Sequence, residues 1–144
     1  MDESQFIIKQ ISVFSENRPG RLAAIAHALE EEKINILAFS IAEANGFGVV
    51  RALVDYPQKA YQKLTGLGFN VAFTDVIAVK MRDEPGGLFE IAHMLGDGAI
   101  NIEYSYAYSG KDAAVLILRV DDVKKAITTI LARGGTLIPC STFQ

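Results

Sequence analysis

Asn17-Arg18-Pro19-Gly20-Arg21-Leu22 returns 66 positions later as Asp83-Glu84-Pro85-Gly86-Gly87-Leu88. The register then runs on without a gap. Ile25-Ala26-His27 falls on Ile91-Ala92-His93, Ile34-Asn35-Ile36 on Ile100-Asn101-Ile102, Val54-Asp55 on Val120-Asp121 and Lys59-Ala60 on Lys125-Ala126. Coincidence supplies single matches, not a constant offset held along most of the chain. The sequence is a duplication, and each half is to be read as one structural unit.

In the first half, Phe6 to Phe14 is rich in strand formers, with Ile7, Ile11 and Val13 on one alternating set. The turn that follows also suits a helix start, because Asn can cap and Pro is tolerated in a first turn. Leu22, Ile25, Ala26 and Leu29 then recur at helical spacing. Leu37 to Ala42 and Phe47 to Val54 form a hairpin around Ala44-Asn45-Gly46. Pro57 opens a second helix that Gly66 and Gly68 end, and Phe69 to Phe73 is a last strand. The second half predicts strand 75–81, helix 86–95, hairpin strands 102–108 and 113–120, helix 123–131 and a short strand 136–139 that leads to Cys140.

Both halves therefore read βαββαβ. The expected class is α+β: two tandem ferredoxin-like sandwiches, residues 1–73 and 74–144, each with an antiparallel sheet carrying both helices on one face. A unit this short buries only ~60% of its surface, so pairing within the chain and between chains is expected. Tyr104, Tyr106 and Tyr108 alternate along one strand and share a face. They form either an aromatic layer against a helix or part of an interface.

Half the residues are apolar, with 8 Phe and 5 Tyr, which supplies a core and argues against a disordered chain. Lys and Arg number 14 against 17 Asp and Glu, a formal net charge of −3 scattered along the sequence. That balance gives a polyanion no footing, so nucleic acid is not an expected partner. No apolar run approaches the ~20 residues that span a bilayer, and the N-terminal residues do not read as a signal peptide. A cytoplasmic protein that does not engage membranes is expected. Cys140 is the single cysteine, so an intrachain disulfide is excluded.

The residues spell out no catalytic constellation. His27 and His93 sit across their helices from the apolar stripes, with no carboxylate or nucleophile assigned to either ring by spacing. Two histidines and one cysteine do not make a metal site. Asn45-Gly46-Phe47-Gly48 does not join a strand to a helix as a dinucleotide fingerprint does. No enzyme activity, metal or cofactor is expected. Gly86-Gly87, at the start of a helix, either lets a carboxylate approach free N–H groups or merely shapes the turn. Asn35 and Asn101, each between two isoleucines, either grip a ligand through donor and acceptor or bond to their own backbone.

With both turns, both Ile-Asn-Ile segments and the duplication in hand, the halves resemble ACT domains, small regulatory modules that sense amino acids and related metabolites. The turns resemble the family signature of Asp or Asn, any residue, Pro, Gly, any residue, Leu. The resemblance implies domain pairing with an effector at the interface. It implies that Asn17 and Asp83 bond the amino or polar group of the effector. The backbone around Gly20, Leu22, Gly86 and Leu88 would take its carboxylate, and Asn35-Ile36 and Asn101-Ile102 would complete the grip across a domain pair. Serine-sensing relatives carry a His two residues before the first of these asparagines, where this chain has Ser15 and Met81.

The two turns are unequal. Arg18 and Arg21 offer cations to a carboxylate in the first; Glu84 and Gly87 replace them in the second, beside Asp83. One repeat is thus expected to bind while the other builds scaffold. The reading is an amino-acid-binding regulator, a homodimer or higher homo-oligomer that acts on a separate metabolic enzyme or through its own assembly. The alternative is a ligand-free structural or protein-protein adaptor on the same fold.

Overall fold

The computed structural model describes residues 2–110 and 113–143. Its strands and helices are β1 (Ile8–Glu16), α1 (Arg21–Glu31), β2 (Ile36–Ala44), β3 (Phe47–Val54), α2 (Pro57–Gly66), β4 (Asn70–Met81), α3 (Gly87–Asp97), β5 (Ile102–Ser109), β6 (Ala114–Val120) and α4 (Val123–Ala132). Short 3-10 turns occupy Glu3–Phe6 and Cys140–Phe143. The chain divides into two compact units, one built on Lys9–Thr74 and the other on Asp75–Thr142. The class is α+β, and each unit is a ferredoxin-like βαββαβ sandwich.

In the first unit the strand order is β2-β3-β1-β4. Ile11 and Val13 of β1, Val50, Ala52 and Val54 of β3, Ile25 and Leu29 of α1 and Leu64 of α2 share one core. The alternate residues Gln10 and Ser12 point to the opposite sheet face, where the Ser12 hydroxyl meets that of Thr74 at 3.2 Å. The period-two pattern thus assigns one face to the helices. Asn45 and Gly46 both take positive φ, 54° and 84°, as a two-residue hairpin with matching twist demands.

In the second unit β4, β6 and β5 are neighbours in that order. Ile77 and Val79 of β4, Leu116, Leu118 and Val120 of β6, Leu95 of α3 and Ile127 and Ile130 of α4 form its core. Each such side chain contributes ~1.5–3 kcal/mol on burial.

Three differences from the sequence expectation have physical causes. The strands expected at 69–73 and 75–81 are one continuous strand, β4, because Thr74 between them neither frees nor breaks the backbone. The strand expected at 136–139 is a single bridge, Leu137 to Val79, and Cys140 opens a 3-10 turn instead of following a strand. Pro139 cannot donate to a ladder. Residues up to Ile8, placed with the first half by the sequence, go with the second unit, where buried Phe6 joins the core.

Candidate functional site

The first turn closes through backbone bonds. The Asn17 N–H donates to the Gly46 carbonyl at 2.8 Å, and the Arg21 N–H to the Arg18 carbonyl at 3.2 Å. Gly20 caps α1 in a left-handed conformation, φ 90°, with no side chain on the helix end. An intrahelical partner first appears for Ala24, whose N–H meets the Gly20 carbonyl at 3.0 Å. The N–H groups of Leu22 and Ala23, in the first turn, have no i−4 acceptor within the helix. Asn17 is exposed and Arg21 half-buried.

The two arginines of this turn differ in their partners. Arg18 lies 3.6 Å from the Glu16 carboxylate. Arg21 donates from Nε to the Ser15 hydroxyl at 2.9 Å, and its guanidinium lies 4.8 Å from the Phe69 ring centre. No carboxylate pairs with Arg21 among the described residues. A narrow recess of about 20 Å³ lies here, lined by Asn17, Arg21, Leu22 and Ile25 among others. Directly along α1 is a second, wholly apolar hollow of about 100 Å³ that shares Leu22, Ile25 and Val50 with the first.

The second turn has the same backbone and opposite chemistry. Gly86 takes φ 93°, the Gly87 N–H meets the Glu84 carbonyl at 3.0 Å, and the Glu90 N–H meets the Gly86 carbonyl at 3.1 Å. Arg82 forms close ion pairs with Glu84 and Glu90, the latter also through Nε at 3.2 Å, and its guanidinium pKa rises because Glu90 bonds it. Position for position, Glu16 and Arg18 of the first turn have become Arg82 and Glu84 of the second. Gly87 is buried, and a Cβ there would fall on the Arg82 carbonyl oxygen. Asp83 and Leu88 are exposed.

Asn35 and Asn101 are exposed, and each is tied to a neighbouring carboxylate through its backbone N–H. The Asn35 N–H donates to Asp55 Oδ1 at 2.9 Å and the Asn101 N–H to Asp121 Oδ1 at 3.0 Å. Ile36 and Ile102 lean on the first and second cores respectively. Asn35 follows the C-terminal end of α1, whereas Asn17 precedes its start. The 11-residue helix puts the ends about 16 Å apart at ~1.5 Å per residue. Within one unit, the turn and the asparagine are too far apart to hold one amino acid together.

The sequence left three partners undetected. Asp55 and Asp121 were visible only as repeat matches, and Glu90 has no counterpart in the first repeat, where Ala24 stands. Tyr104, Tyr106 and Tyr108 pair across the sheet with Arg119, Ile117 and Val115, on the face away from the helices. A bulge between Ile102 and Tyr104 produces that switch of face, so the rings are not a layer against a helix. Partial burial pushes the Tyr108 phenol pKa up. His27 and His93 are exposed beside Glu31 and Asp97, at 4.0 and 3.3 Å. Among the described residues no group of His, Cys, Asp or Glu could hold a metal ion, and no helix is long and apolar enough to cross a membrane.

The sequence model of the family described as ACT domain pair matches residues 6–138. Among solved structures, protein BT0572 from Bacteroides thetaiotaomicron is similar at 32% identity and TM-score 0.92, over 99% of this chain and 98% of that one. The ligand-free regulatory subunit of aspartate kinase from Thermus thermophilus has a similar fold at 14% identity and TM-score 0.66, over 91% and 95% of the two chains. The regulatory subunit of aspartate kinase from Thermus flavus is similar at 12% identity and TM-score 0.62, over 88% and 92%. No curated protein matches the sequence.

Proposed function

This chain belongs to the ACT domain pair family, and from that premise we propose that it is a non-catalytic regulator whose effector is an amino acid. The observation that carries the reading is the first turn. The positive end of α1, with its first-turn N–H groups, and the Arg21 guanidinium lie beside Asn17, whose amide supplies both donor and acceptor. A carboxylate and an ammonium on one carbon match that set. Because Asn35 lies a helix length from the turn of its own unit, it does not share an effector with that turn, and the proposed assembly is a homo-oligomer in which Asn35 meets an effector held by another copy of the chain. A separate metabolic enzyme in the cytoplasm is the proposed target, as the likeness to regulatory subunits suggests. Control then requires the effector to bind two states of the assembly unequally.

The test is calorimetric titration of the protein with each of the twenty amino acids, with sedimentation in the presence and absence of any that binds. Saturable heat, weakened by Asn17→Ala, supports the regulator. Silence from a folded protein supports the adaptor reading, which one observation favours. Phe14 and Phe47, 46% and 67% exposed, flank an open apolar hollow at the end of the β2–β3 hairpin, as a protein-binding surface would.

A further inference from the structure

We propose that the first unit holds the working site and that it takes α-amino acids with aliphatic side chains, the side chain entering the apolar hollow between α1 and β2. The inference rests on the amino-acid reading above and names the chemical class. The hollow of about 100 Å³ has Ile11, Val13 and Val50 on its floor and Leu22, Ala26 and Phe39 at its sides. The floor residues are buried, whereas Leu22 and Phe39 are 38% and 50% exposed, so the space opens from the surface down to the core. No polar atom lines it. An apolar space of this kind suits apolar groups, and at ~30 Å³ per water-sized group it admits about three of them. That is the scale of a valine, leucine or isoleucine side chain.

The polar end lies next to the apolar one. Leu22, Ile25 and Val50 line both the hollow and the recess that contains Ser15, Glu16, Asn17 and Arg21, where the Glu16 carboxylate is paired with Arg18. A backbone-sized head group at α1 therefore lies within one side chain's reach of the hollow. Arg21 has no carboxylate partner among the described residues, so it can offer its charge to a ligand. Burial against Phe69 and the Ser15 bond keep its guanidinium in place.

The second unit lacks each of these parts. Gly87 replaces Arg21, and the neighbouring cation, Arg82, is taken by Glu84 and Glu90. On the strand that matches β2, Phe39 and Ile41 become Ser105 and Ala107, both exposed. An aliphatic side chain would meet polar atoms and open solvent there.

The experiment titrates the full chain with L-leucine, L-isoleucine and L-valine, and with L-serine and L-aspartate as polar controls. It is repeated on Ala26→Leu, which fills the hollow, on Arg21→Gln, and on Ala92→Leu at the matching position of α3. Circular dichroism establishes that each variant is folded. The expected result is saturable binding of the aliphatic set alone, at least tenfold weaker in Ala26→Leu and in Arg21→Gln and unchanged in Ala92→Leu. Arg21→Gln alters a half-buried side chain outside the apolar core, so it tests the site even where Ala26→Leu fails to fold. Binding of serine or aspartate in place of the aliphatic set would overturn this proposal and leave the amino-acid regulator standing. Silence across the panel would overturn both. Aliphatic binding that ignores Ala26→Leu and Arg21→Gln, or is lost in Ala92→Leu, would place the site elsewhere. A dimer dissociated by Ala26→Leu in a chain that binds no amino acid would make the hollow a contact between copies and likewise overturn the proposal.

Discussion

Asn35 and Asp55 exchange bonds in both directions. The Asn35 N–H donates to the Asp55 carboxylate at 2.9 Å, and the Asp55 N–H returns to the Asn35 carbonyl at 3.2 Å. Asn101 and Asp121 repeat the exchange at 3.0 and 3.1 Å. The start of the second strand of each unit is thereby tied to the end of the third, and the asparagine side chain is not needed for the tie. Asp55→Ala and Asp121→Ala should each cost about 1 kcal/mol in chemical denaturation. Asn35→Ala should stay within ~0.5 kcal/mol of wild type. A large loss in Asn35→Ala would mean the amide side chain supports the fold and is unavailable for a ligand.

Gly87 has no room for a methyl group, since a Cβ would strike the Arg82 carbonyl. Gly87→Ala should therefore force the entry to α3 to shift and cost about 2–3 kcal/mol, as overpacking of a fixed backbone does. Its counterpart in the first repeat is Arg21, so the chain there must already stand farther off. Thermal melting that left Gly87→Ala within a degree of wild type would contradict the close approach.

Gly20 and Gly86, at φ 90° and 93°, cap α1 and α3 in the left-handed region. Space is not the obstacle at Gly20, where nothing lies near a built Cβ. Backbone strain is. Gly20→Ala should cost ~1–2 kcal/mol, and Gly86→Ala a similar amount. Melting curves for the two variants test whether the two turns share a conformation as their dihedral angles indicate.

Asp97 accepts a bond from Arg133 at 2.9 Å, with His93 at 3.3 Å, and Arg133 foremost holds its carboxyl below the usual range. A carboxyl lowered in the folded state adds stability above its unfolded value of ~3.9, and that share is lost as pH falls through the folded value. Between about pH 5 and about pH 2, wild type should lose slightly more melting temperature than Asp97→Asn. The group is exposed, so the gap should be small and should shrink in concentrated salt. Equal acid slopes would show the contact to be idle.

The duplication, both first-turn helices and the hairpin turn at Asn45-Gly46 were legible because local chemistry decides them. Pro-Gly starts a helix, and Asn-Gly accepts positive φ, in almost any surroundings. The extent of β4 was not legible, since whether Phe73 and Asp75 belong to one strand depends on which strands they lie beside. Nor were the bulges after Ile36 and Ile102, which decide the face taken by Phe39 or Tyr104 and leave no composition mark. At the site, the contrast between Arg21 and Gly87 was readable as charge. The separation of Asn17 from Asn35 by the length of α1 was readable too, once the helix had a beginning and an end. The hollow beneath Leu22 was not, because it is a property of how the α1 stripe and β2 meet.

The ion pair at each turn, Glu16 with Arg18 and Arg82 with Glu84, has its polarity reversed between the repeats. Each pair is exposed and adds little to stability. A recombinant unit that took residue 16 from one repeat and residue 18 from the other would place two carboxylates, or two guanidiniums, side by side. Like charges there would repel each other weakly at the turn that begins the helix. The reversal thus marks each half with an identity of its own: either pair can be copied whole, but its two members cannot be exchanged one at a time.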